Sequence, residues 1–128
     1  MHVVLEALKK SGKINTEDLQ FLHEHGQPYV GARLPAGVKQ RKGGQCLDVA
    51  DQLEEDGHGK YVRGFALTPA NRLMGHAWNS RDGRLVIDAS WAGPQDCFYF
   101  GIPGRRYEAF LSRISRPFMV SSFMPWRF

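Results

Sequence analysis

The sequence predicts an α+β domain in which a helix packs on an antiparallel sheet, and three observations lead there. Cys46, Val49, Ala50 and Leu53 recur at the spacing of one helical face. Downstream, KYVRGFAL (60–67), LMGHAW (73–78) and RLVIDA (84–89) read as strands bounded by turn-forming residues. An apolar fraction of 42% with 8 Phe, 4 Tyr and 3 Trp supplies the material of a core. At 128 residues the expectation is a single domain spanning 1–128.

Taken in order, residues 2–10 form a short helix carrying Val3, Val4, Leu5, Ala7 and Leu8. Thr16 is placed as the N-cap of a second helix through Leu19, Phe21 and Leu22, stopped at Gly26. Residues 27–44, with two prolines and four glycines, read as extended chain and loop. The helix that begins near Cys46 stops at Gly57, and its acidic C-terminal end opposes the helix dipole. After the three strands come an aromatic run FYF (98–100), a short helix at 105–113 and an apolar stretch FMVSSF (118–123).

Composition narrows the function classes. No apolar run approaches the roughly 20 residues of a membrane span. MHVVLEALKKSGK is broken by charge too early for a secretory signal, so a cytoplasmic protein without a membrane partner is expected. The formal charge is +4, with Arg105, Arg106, Arg113, Arg116 and Arg127 in the last quarter against the single acidic Glu108. Such a surface can attract an anion, and Tyr107, Phe110 and Trp126 could stack on bases. No nucleic-acid motif accompanies it, so a solvated basic face and core aromatics are the expectation. His2, His23, His25 and His58 lack ligand spacing, and no metal or organic cofactor is implied.

Two cysteines, Cys46 and Cys97, form no CxxC pair, and a single bridge between them stays open. Their settings differ. Cys46 follows Gly43, Gly44 and Gln45 and begins a helix, where unpaired N–H groups and the dipole favour a thiolate. Gly43 and Gly44 permit a sharp turn and leave N–H groups open to an oxyanion. Equally, Cys46 could be the first apolar residue of the helix's buried face. Cys97 lies in the strand-like run CFYF.

Thiolate chemistry needs a base and a group that fixes the base's tautomer. With a three-residue turn at Arg81-Asp82-Gly83, Ser80 pairs with Arg84 and, counting back, His76 faces Asp88 on one sheet face. A two-residue Asp-Gly turn would put them on opposite faces. Asp88 follows the apolar LVI, where an unpaired carboxylate is costly and His76 is the available partner. A turn-forming Asp at the strand's end is the other reading.

The order Cys, then His-Ala-Trp, then Asp across a hairpin resembles the papain-like and transglutaminase-like thiol enzymes. GGQC (43–46) looks like the G-Q-C that leads into the transglutaminase nucleophile, and HAW (76–78) and VIDASW (86–91) look like their His and Asp strands. Gln40, six residues before Cys46, matches the offset of the oxyanion glutamine in papain-type proteases. The likeness covers residues 46–91. Leu47 stands where both families usually carry an aromatic residue, and the chain lacks the large second half of a papain cleft. RKGGQC bears a looser likeness to the arylamine N-acetyltransferases, which are roughly twice this size.

The resemblance implies a small papain-like or transglutaminase-like core whose Cys46, His76 and Asp88 cleave or transfer amides of a protein or peptide substrate through an acyl-enzyme, with Gln40 at the oxyanion. A different class, a non-catalytic binding domain of the same fold, draws on Leu47, the small size and the basic C-terminal quarter.

Overall fold

The computed structural model describes residues 1–41 and 46–118. In chain order these form α1 (Val3–Ser11), α2 (Thr16–His25), β1 (Gln27–Val30), α3 (Cys46–Glu55), β2 (Lys60–Leu67), β3 (Leu73–Ser80), β4 (Phe98–Pro103) and α4 (Glu108–Ser115), with 3-10 turns at Pro94–Asp96 and Arg116–Phe118. The protein is α+β: four helices around a four-stranded antiparallel sheet of order β1-β4-β2-β3. The expected stretch 118–123 lies outside the described residues beyond Phe118, as do Trp126 and Arg127.

Local chemistry sets the element ends. The cap of α2 is Asn15, one residue before the expected Thr16; its Oδ1 accepts the Asp18 N–H at 2.7 Å, which puts Glu17 and Asp18 in the first turn at the positive end of the dipole. Within the segment expected to be extended chain and loop, Gln27–Val30 is an edge strand on β4, a position that tolerates Pro28. The last helix starts at Glu108 and runs to Ser115, later than the expected 105–113. Arg105 is used instead against α3, where it pairs with Asp51 and with Glu54 Oε1 (2.5 Å) and lies over the Tyr61 ring. The acidic end of α3 that opposes its own dipole is thus met by a cation from elsewhere in the chain.

The expected strand 84–89 is not a regular strand. Arg84 O accepts from Val30 N (2.8 Å) and Val86 N donates to Val30 O (2.9 Å), while Ile87 exchanges both backbone bonds with Asn79 at 2.8 and 2.7 Å. One side of this segment therefore bonds β1 and the other β3, the two edges of the sheet. It closes the sheet into a small barrel and pairs each edge strand over a short stretch, at Val30 and at Asn79.

The two faces of the closed sheet bury different clusters. Outward, Phe65, Leu67, Phe100 and Ile102 meet Val4, Leu5, Leu8, Leu22, Leu111 and Ile114 of α1, α2 and α4. Inward lie Tyr29, Val62, Ala66, Met74, Trp78, Val86, Trp91, Cys97 and Tyr99. Gly101 leaves room for the Trp78 ring; a Cβ there would lie 2.8 Å from Trp78 Cη2 and 2.7 Å from Arg63 O. On the outside, α3 packs Val49 and Leu53 on Ile87 and Ala89, and Cys46 and Ala50 on Tyr61 and Ala77. Among the described residues no helix is long and apolar enough to cross a membrane.

Candidate active site

The turn after β3 is longer than the three residues expected. Asp82 Oδ1 accepts the N–H groups of Arg84 (2.9 Å) and Leu85 (2.8 Å), and Ser80 Oγ donates to Leu85 O (2.8 Å). These side-chain bonds stabilise a loop that runs on to Leu85, with Gly83 at φ +75°. Asn79 consequently pairs with Ile87, two residues further than the expected register. A shift of two preserves parity, so Val86 and Asp88 still point inward while Ile87 and Ala89 meet α3. His76 and Asp88 are diagonal neighbours rather than directly opposed, and Asp88 stands beyond the last bridge, off the sheet proper.

They nevertheless meet. His76 Nε2 lies 2.6 Å from Asp88 Oδ2, with both side chains buried. Asp88 has three further donors: Tyr99 OH to Oδ2 at 2.9 Å, and Ser90 N and Oγ to Oδ1 at 3.1 and 2.7 Å. Trp91 Nε1 donates to Tyr99 OH at 3.0 Å, and the Trp91 indole stacks on the imidazole with centroids 4.1 Å apart. A carboxylate in this apolar interior is compensated by hydrogen bonds on both oxygens.

Cys46 approaches the same imidazole from the first turn of α3. Burial lowers the His76 pKa, but the Asp88 charge, the Cys46 charge and hydrogen bonds to both residues outweigh it and raise the value to about 10. The Cys97 thiol is pushed up to about 11 by burial and then by the charges of Asp88 and Asp96. Both cysteines are free and buried, so exposure does not distinguish them.

Gln40 is exposed, and its side chain makes no hydrogen bond among the described residues. Its neighbour Arg41 donates its backbone N–H to Ala89 O at 2.7 Å, which ties the chain that leads toward α3 beside Asp88. Gly43, Gly44 and Gln45 lie outside the described residues. Sequence reasoning did not single out Tyr99, Ser90 and Trp91 as site residues. The Asp88-Ala89-Ser90 spacing is an Asx-turn signal that could have found Ser90. Tyr99 arrives from a strand eleven residues away through sheet pairing, which no local pattern encodes.

Of the basic residues near the C-terminus, Arg105 is paired with α3, and Arg113 forks onto Asp18 at 2.8 and 3.1 Å. Tyr107 and Phe110 pack on Phe21. Among the described residues no group of three His, Cys, Asp or Glu is placed to hold a metal ion. No family model, no curated protein and no solved structure matches the chain.

Proposed function

We propose that this chain is a thiol-dependent acyl-transfer enzyme of the papain-like or transglutaminase-like kind, acting on amide bonds of a protein or peptide. The observation that supports it most is the buried pair in which Asp88 Oδ2 holds His76 Nε2, with Cys46 close enough to the same ring to act on its pKa. His76 takes the thiol proton, and the Cys46 sulfur adds to the substrate carbonyl. Asp88 holds the tautomer and compensates the imidazolium charge. The tetrahedral oxyanion is met by the Cys46 N–H at the start of α3, with Gln40 as the second donor once substrate draws it in. Collapse breaks the C–N bond, His76 protonates the leaving amine, and an acyl-enzyme results. Water then completes hydrolysis, or a second amine completes transfer.

A second reading, a non-catalytic binding domain of the same fold, draws on the burial of Cys46 (1% exposed) and on Leu47 beside it. Acyl trapping separates the two. Incubation with p-nitrophenyl acetate should release p-nitrophenolate in a burst and leave one acetyl group on the Cys46 peptide by mass spectrometry, absent in Cys46→Ala and strongly reduced in His76→Ala. Acetylation that is unaffected by both substitutions favours the binding domain.

A further inference from the structure

A second concave site lies at the end of the barrel marked by Lys60, Ser80 and Pro103, a groove of about 640 Å³ that none of Cys46, His76 and Asp88 lines. Val62 and Pro103 give it apolar wall, Lys60 and Arg81 give it two cations, and among the described residues no carboxylate lines it. Arg81 is anchored there by its Nε donating to His58 O at 3.2 Å. Tyr29 also lines the groove; it is 3% exposed, and its hydroxyl has no hydrogen-bond partner. The Trp78 indole N–H, whose ring meets Tyr29 edge-on at 5.6 Å, is buried without a partner as well. Native interiors seldom leave such donors uncompensated, and a ligand acceptor in the groove would find an unpaired donor in the Tyr29 hydroxyl. Burial pushes the Tyr29 phenol up to about 12, so at neutral pH it keeps its proton and donates.

We infer that this groove binds a small carboxylate with an apolar body, its anionic end taken by Lys60, Arg81 and the Tyr29 hydroxyl and its hydrocarbon part laid on Val62 and Pro103. Two cations and one neutral donor beside apolar wall match a monoanion with a hydrocarbon tail better than a phosphate, which demands donors on three oxygens. Free carboxylic acids and the C-terminus of a peptide share this chemistry. The inference goes beyond the proposed reaction and stands or falls separately from it.

The test is a titration of the full chain, 15N-labelled and followed by NMR, with hexanoate and with N-acetyl-leucine against their primary amides and against inorganic phosphate. Saturable shifts at the amides of Gly59, Val62 and Gly83 are expected with one or both acids, and the stronger acid identifies the source. The amides should bind about tenfold more weakly. Lys60→Gln, Arg81→Gln and Tyr29→Phe should each weaken the acid about fivefold or more while the spectrum elsewhere stays native. Equal binding of acid and amide, equal binding of phosphate, unchanged affinity in Tyr29→Phe, or no saturable shift with either acid would overturn the assignment.

Discussion

Asp88 divides its oxygens between two tasks. Oδ1 accepts from Ser90 N and Oγ and shapes the turn, while Oδ2 holds His76 and Tyr99 OH. The turn-forming Asp and the His-orienting Asp are one residue. An Asp88→Asn side chain keeps a single acceptor oxygen, and the Ser90 N–H, which can only donate, claims it. The amide NH2 then faces His76 and requires Nε2 to accept, which moves the ring proton to Nδ1. Asp88→Asn should therefore cost about 1–3 kcal/mol of stability and lower thiol acylation by two orders of magnitude or more, read by denaturant unfolding and burst kinetics. The charge balance at His76 makes a second prediction. Its folded-state pKa is raised from 6.5 to about 10, so its stabilising contribution is complete below about 6.5 and is lost as pH rises toward 10. The stability difference between wild type and His76→Gln should shrink from pH 6 to pH 10, measured by urea midpoints at each pH.

At the scale of elements, the loop from Ser80 to Leu85 controls whether Asp88 reaches His76. Gly83, at φ +75°, has nothing closer than Gln27 Nε2 at 3.8 Å to a would-be Cβ. Its requirement is therefore conformational rather than steric. Gly83→Val should destabilise by about 1–2 kcal/mol and impair activity without touching a catalytic group, whereas Gly83→Asn should be nearly neutral in urea unfolding. Gly101 is the opposite case. A methyl there meets the Trp78 ring and Arg63 O, so Gly101→Ala should cost about 1–3 kcal/mol and shift the Trp78 fluorescence. The span of β2 was readable to the residue because its apolar run ends at Thr68 and Asn71, and α3 was readable from its single apolar face. The segment 84–89 was misread because its alternation survives without a ladder: it bonds one edge strand on each side instead of one partner along its length. The parity that brings Asp88 to His76 was legible; the two-residue longer register was not, since side-chain bonds from Asp82 and Ser80 set it.

For the molecule as a whole, closure of the barrel buries the relay, and α3 brings Cys46 to it from outside. Tyr99, Ser90 and Trp91 complete the site from segments that only the closed fold brings together. The basic C-terminal quarter serves that assembly in part, because Arg105 and Arg113 are held by acidic residues of α3 and α2. Replacing Arg105 and Arg106 with Ala should leave turnover of a small neutral substrate largely intact and weaken any salt-sensitive binding of polyanions. The most direct test of the relay is competitive iodoacetamide labelling of the two thiols at pH 6.5, quantified by peptide mapping in wild type and in His76→Ala. Cys46 should take the label at least tenfold faster than Cys97, and most of that advantage should vanish in His76→Ala. Faster labelling of Cys97, or a Cys46 rate indifferent to His76, would contradict the account.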